Sequence, residues 1–191
     1  MKTIGELGYQ GAVFIYKDDT TATSAWTDAK KIHTSHGGIR GELHDDKSQF
    51  LAGLKAWSES VDPSNAFLCI YAHMGVPGIN CISGQAATRV TWEELADAIS
   101  DGVELLWLVG CRSQECLKKW TPLASPIRHL LLATSESKPW RPLLKCFAAE
   151  INIKHIRYYD EMPNYLVKAS SELGKLTTYF RPTAKGFKKA F

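Results

Sequence analysis

Residues 66–75, AFLCIYAHMG, form an apolar run that stops at His73, with a glycine two positions on; residues 103–111, VELLWLVGC, form a second run that stops at Cys111. Both are short, rich in branched and aromatic side chains and free of polar alternation, the pattern of strands buried on both faces. Between them Thr91 and Glu94 stand at capping-box spacing and open WEELADAI, so a helix is expected over 92–100, closed by Asp101 and Gly102. Strand, helix and strand in immediate succession make a βαβ unit with parallel strands. Parallel neighbours end at one edge of a sheet, about 4.8 Å apart, and ligands of open α/β sheets bind at that edge. His73 and Cys111 leave their strands there.

The alternation continues in both directions. AVFIY (12–16) reads as a buried strand, ATSAWTDAKKIH (22–33) as a helix, and the Gly-rich HGGIRGELHDD (36–46) as a hairpin or short edge strand. Asp46 and Gln49 repeat the capping-box spacing ahead of Phe50, Leu51, Leu54 and Trp57, a helix that ends near DPSN (62–65). Residues 75–84 read as a Gly-rich loop, IRHLLLATS (127–135) as a strand, and PWRPLLKCFAAEI (139–151) and MPNYLVKASSELGK (162–175) as helices. The expected fold is a three-layer α/β/α sandwich around a mostly parallel sheet, in one domain over residues 1–191.

Composition excludes several classes of function. At 45% hydrophobic and 23% charged residues the chain is an ordinary globular one. No apolar run approaches the roughly 20 residues of a membrane span, and 12–16 is too short for a signal-peptide core, so a cytoplasmic protein is expected. Five cysteines at irregular spacing, with no CxxC pair, point to free thiols in a reducing compartment and against structural zinc. His33, His36, His44, His129 and His155 show no ligand spacing, and no GxGxxG or GxxxxGK[ST] follows a strand. No metal and no organic cofactor is expected. Lys175, Arg181, Lys185, Lys188 and Lys189, five cations with no acid after Gly174, exceed the whole net charge of +3. They read as a solvated basic tail from about 174, with Phe187 and Phe191 docking on the body or not at all, and neither a nucleic acid nor a membrane partner is expected.

A thiol paired with an imidazole suits acyl transfer: the thiolate attacks a carbonyl and the imidazole carries the proton to the leaving group. The developing oxyanion needs backbone donors, for which the amides of Cys111 and of Met74 or Gly75 are placed where the chain turns out of the sheet. Gly75 and Gly78 would let a substrate backbone come close. Asp18 and Asp19 follow the first strand at the same edge, either as a turn or as an acidic pocket for a Lys or Arg side chain.

IYAHMGVPG, RVTWEELADAI and LLWLVGCRS, in this order, resemble the caspase-like cysteine peptidases, the group of caspases, metacaspases and bacterial CHAT-type proteases. The resemblance spans roughly 12–135, is strongest at 66–113, and ATSES after the next strand is similar to the CHAT-type continuation. It implies a caspase-like fold, His73 as the family histidine, Cys111 as the nucleophile, and acidic residues as a means of binding basic substrate side chains. It also implies a protein substrate, a regulatory protein or activating ligand, and a setting in signalling, cell death or bacterial defence. Two departures stand out: Met74 separates His73 from its glycine, and Val109-Gly110-Cys111-Arg112-Ser113 replaces the caspase Gln-Ala-Cys-Arg-Gly, so cleavage after Asp is not implied. The leading expectation is a cysteine endopeptidase. The alternative is a catalytically inactive caspase-like domain that binds protein partners, with His73 and Cys111 as packing groups.

Overall fold

The computed structural model of the chain describes residues 10–16, 39–80, 85–99, 102–120, 127–134 and 177–189. Its strands are β1 (Gln10–Tyr16), β2 (Ile39–His44), β3 (Ala66–Tyr71), β4 (His73–Gly75), β5 (Gly78–Asn80), β6 (Arg89–Thr91), β7 (Val103–Val109), β8 (Ile127–Thr134), β9 (Thr177–Thr183) and β10 (Gly186–Lys189). Two α-helices, α1 (Lys47–Ser60) and α2 (Trp92–Ala98), accompany them. Seven strands form one sheet in the order β10-β9-β8-β7-β3-β1-β2. The pairs from β2 through β8 are parallel, and β9 and β10 add antiparallel.

The expected βαβ unit is present. β3 and β7 are parallel neighbours, with Leu68 opposite Leu106 and Tyr71 opposite Val109, and α2 lies on the connection. Both faces of the central strands β1, β3 and β7 are buried, as parallel pairing demands. On one face Ala12, Phe14, Tyr16, Leu68, Ile70, Leu106 and Leu108 belong to the main core; on the other, Ile15, Cys69, Trp107 and Val109 are buried too.

Both helices begin where the cap spacing places them. Asp46 accepts the Gln49 amide at 2.9 Å at the head of α1, and Thr91 with Glu94 completes a reciprocal capping box at the head of α2. Phe50, Leu54 and Trp57 stand at i, i+4 and i+7 on the buried stripe of α1. Phe50 stacks on Tyr16 with centroids 4.6 Å apart, and Phe14 meets Phe50 and Trp57 edge to face at 6.3 Å. A 2.7 Å ion pair between Lys47 and Glu94 joins the two helix starts.

Two expectations need correction. The Gly-rich stretch after His73 is not simply a loop: β4, β5 and β6 form a small antiparallel sheet, with residues 81–84 outside the described residues. Alternation explains it, because Met74, Ile79 and Val90 all point into the core from strands of three residues each. The basic C-terminal stretch is more than a solvated tail: β9 and β10 make a hairpin on β8, with Phe180 and Phe187 packed against the core and Lys188 and Lys189 exposed, while Phe191 lies outside the described residues. Of the two readings of 36–46 the edge strand is the one found: residues 39–44 form β2, parallel to β1 at the end of the sheet. The helices expected at 22–33, 139–151 and 162–175 lie outside the described residues.

Candidate active site

β1 sits where the strand order reverses, with β2 on one side and β3 on the other. In α/β sheets the crevice beyond the carboxyl ends at such a switch point is the usual ligand site. β3 borders that switch point, and β7 ends beside β3 at the same edge. Past Tyr71 the pairing continues for one residue, as the Ala72 amide donates to the Val109 carbonyl at 3.3 Å. Gly110 then passes so close to Ala72 that a Cβ at position 110 would strike the Ala72 carbonyl, and it would lie 2.6 Å from Met74 Cγ and 2.9 Å from Met74 Sδ. Segments 72–74 and 109–111 therefore leave the sheet in van der Waals contact, and only glycine fits at their crossing.

Cys111 follows that crossing as a half-buried free thiol. The next residue, Arg112, is left-handed (φ 53, ψ 27), the only non-glycine residue with positive φ among those described. It swings the chain into a 3-10 helix, Ser113–Lys118, whose first turn is closed by the Glu115 amide on the Arg112 carbonyl at 2.9 Å. Left-handed backbone costs an ordinary side chain roughly 1–2 kcal/mol, and such strain concentrates at functional turns.

Cys69 and Cys116 contrast with Cys111. Both are fully buried, and burial pushes both thiols up from their ordinary range. At Cys116 the Glu115 charge pushes the same way, against backbone hydrogen bonds from Leu117 and Cys116. Of these three thiols only Cys111 reaches solvent. Cys81 and Cys146 lie outside the described residues.

His73 opens β4, exposed and opposite Asn80. Met74 is buried opposite Ile79, and Gly75 is half-buried, where a Cβ would meet only Pro77 Cδ at 3.7 Å. Gly75 thus leaves open space beside the His73 strand. Gly78 does not: it is buried at φ +143, and a Cβ there would strike the Val90 carbonyl and lie 2.9 Å from Thr91 Cα. Its smallness serves the packing of β5 on β6, not the approach of a substrate. Asp18 and Asp19 lie outside the described residues, two and three positions after the end of β1.

Sequence reasoning missed the aromatic bridge behind these two exits. The Trp92 indole donates to the Val76 carbonyl at the β4–β5 turn (3.1 Å), and the Trp120 indole donates to the Trp92 carbonyl (2.7 Å). The two rings meet edge to face, 6.1 Å apart. Trp92 was legible only as a packing residue at a helix start, and Trp120 belongs to no periodic pattern.

Other chemistry-bearing groups stand apart. His44 pairs with Glu42 at 2.8 Å on β2 and stacks on Phe14. A cavity of about 320 Å³ between α1 and α2 is lined by Leu51, Ala52, Lys55, Glu94, Asp97 and Ala98, and by neither His73 nor Cys111. Among the described residues no group of three or more His, Cys, Asp or Glu could hold a metal ion, and no helix is long and apolar enough to cross a membrane.

No protein-family model and no curated protein matches the sequence. Among solved structures the chain is similar to drICE, a caspase, with a TM-score of 0.54 and 9% identity over 93% of this chain and 88% of that one. At that identity the likeness is one of fold: a mostly parallel sheet in an α/β caspase-like arrangement.

Proposed function

We propose that this chain is a cysteine endopeptidase that cleaves a protein partner, with Cys111 as nucleophile and His73 as proton carrier. The observation that carries the reading is the junction of the two strand exits. A solvent-reaching thiol on a strained turn stands at the carboxyl edge of a caspase-like sheet, and its segment packs against the segment that bears an exposed histidine.

In the proposed reaction the Cys111 thiolate attacks the scissile carbonyl carbon, forming a C–S bond and an oxyanion. The oxyanion collapses, the C–N bond breaks, and the imidazolium of His73 protonates the departing amine. Water deprotonated by the neutral imidazole then hydrolyses the thioester and frees the thiol. Donors for the oxyanion come from the Cys111 amide and from Met74 or Gly75; β4 is the outer strand of its small sheet, so part of its backbone points away from β5. Neither a metal nor an organic cofactor enters these steps. Asp18 or Asp19, just past the β1 end, would pair with a Lys or Arg side chain before the cut. The reading places the enzyme in the cytoplasm, in signalling or defence, under a regulatory protein or ligand.

The test is to incubate wild type, Cys111→Ala and His73→Ala with a proteome and map new protein N-termini. Both variants should keep the wild-type circular dichroism and lose cleavage by about a thousandfold or more. Basic residues should precede the cuts, and that preference should weaken in Asp18→Asn or Asp19→Asn. Equal cleavage by wild type and Cys111→Ala would overturn the peptidase reading in favour of a binding module.

A further inference from the structure

The two halves of the candidate site come from different strands, and each is slight on its own. His73 sits on the outer strand of a small sheet whose three strands are three residues each. The Val76 side chain at its tip is 51% exposed, so the tip is not anchored by its own burial. Cys111 sits on a turn that a left-handed arginine strains. The Ala72–Val109 hydrogen bond and the Gly110 crossing join the two at their roots, and a further tie beyond the crossing matters because a displacement of about 1 Å at such a site costs orders of magnitude in rate.

One buried post reaches both. Trp92, wholly buried at the first position of α2 and fixed there by the Thr91–Glu94 capping box, donates from its indole to the Val76 carbonyl at the tip of the His73 hairpin. Its own carbonyl accepts the Trp120 indole. Trp120 closes the 3-10 helix that follows Cys111, with its amide on the Cys116 carbonyl at 2.8 Å. We infer that Trp92 and Trp120 are positioning residues: through two indole hydrogen bonds and an edge-to-face contact they lock the His73 hairpin to the Cys111 turn. Neither ring needs to touch substrate. The inference rests on the dyad proposed above and adds to it the device that sets its geometry.

The experiment follows the alkylation of Cys111 by iodoacetamide in the full chain against pH, read by mass spectrometry. The variants are Trp92→Phe, Trp120→Phe, His73→Ala and, as comparator, Trp57→Phe, which alters a core tryptophan packed on Phe14 away from the site. Phenylalanine keeps the aromatic edge and deletes the donor. A thiol assisted by the His73 imidazole should give a rate curve with a shoulder that His73→Ala removes. Trp92→Phe and Trp120→Phe should shift the curve toward that of His73→Ala and slow neutral-pH alkylation about fivefold, the scale of one lost hydrogen bond. Trp57→Phe should follow wild type even where it lowers the melting temperature equally. If the two variants keep the shoulder while His73→Ala loses it, the positioning role is wrong and the dyad stands. If His73→Ala itself keeps the shoulder, the dyad falls and the positioning role with it. Should Trp92→Phe not fold, Trp120→Phe alone decides.

Discussion

Burial pushes the Cys69 and Cys116 thiols up, whereas Cys111 reaches solvent on the same fold, so burial separates residues that the sequence presents alike. Iodoacetamide at neutral pH should modify Cys111 about a hundredfold faster than either of the others in the folded chain, and peptide mapping after a timed quench measures it. Comparable rates at all three would mean that the Cys111 turn is closed. Two neighbours of Cys111 should respond in opposite directions. Arg112→Gly relieves a left-handed side chain and should raise the unfolding free energy by about 1 kcal/mol, while Gly110→Ala drives a Cβ into the Ala72 carbonyl and should lower it by more than that, both read from urea denaturation. The strand exits at 72–73 and 110–111 were legible because two apolar runs break there. Arg112 was not, since arginine carries no mark of positive φ as glycine or asparagine would, and a hydrogen bond such as Trp120 to Trp92, 28 residues apart, leaves no local pattern.

The elements that could be read were those whose signals are local. Thr91 and Glu94 announced α2, and Asp46 announced α1, because a cap is a contact within four residues. The β4–β5–β6 sheet was illegible, because three-residue strands are too short to display a period and glycines at 75 and 78 read as loop. Glu94 also offers a test of how the helices are tied. Burial disfavours its charged form, yet hydrogen bonds from Lys47 and Thr91 and the Lys47 charge hold its carboxyl below the ordinary value. A lowered folded pKa means that this contribution is present above the unfolded value, near 4.5, and is lost as pH falls through the lower folded one. Glu94→Gln retains the capping box and gives up the ion pair. It should therefore be less stable than wild type at pH 7, by less than about 1 kcal/mol for so exposed a pair, and the difference should vanish near pH 3. A difference independent of pH in chemical denaturation would show that the Lys47 pair contributes nothing.

At the scale of the molecule, the parallel core of the sheet was legible because hydrophobic strands alternate with capped helices from residue 12 to residue 110. The antiparallel end was not: five cations obscured TTYFRPT and GFKK, whose phenylalanines face the core while Lys188 and Lys189 face solvent. Lysines on an outer strand discourage edge-to-edge pairing, and β10 carries two. A chain ending at residue 176 would lose Phe180 and Phe187 from the core and bare the outer edge of β8. Such a chain should elute as soluble aggregates in size-exclusion chromatography with light scattering, where the full chain does not; a monodisperse truncation would show that β8 needs no cover. The placement of β9 also bears on biosynthesis. On the ribosome β2, β1, β3 and β7 can pair as soon as residue 109 is free, but β8 must wait for a strand that begins only at Thr177. For that interval of translation its edge is bare to other nascent chains, which makes this stretch of elongation the time at which the protein most needs a chaperone.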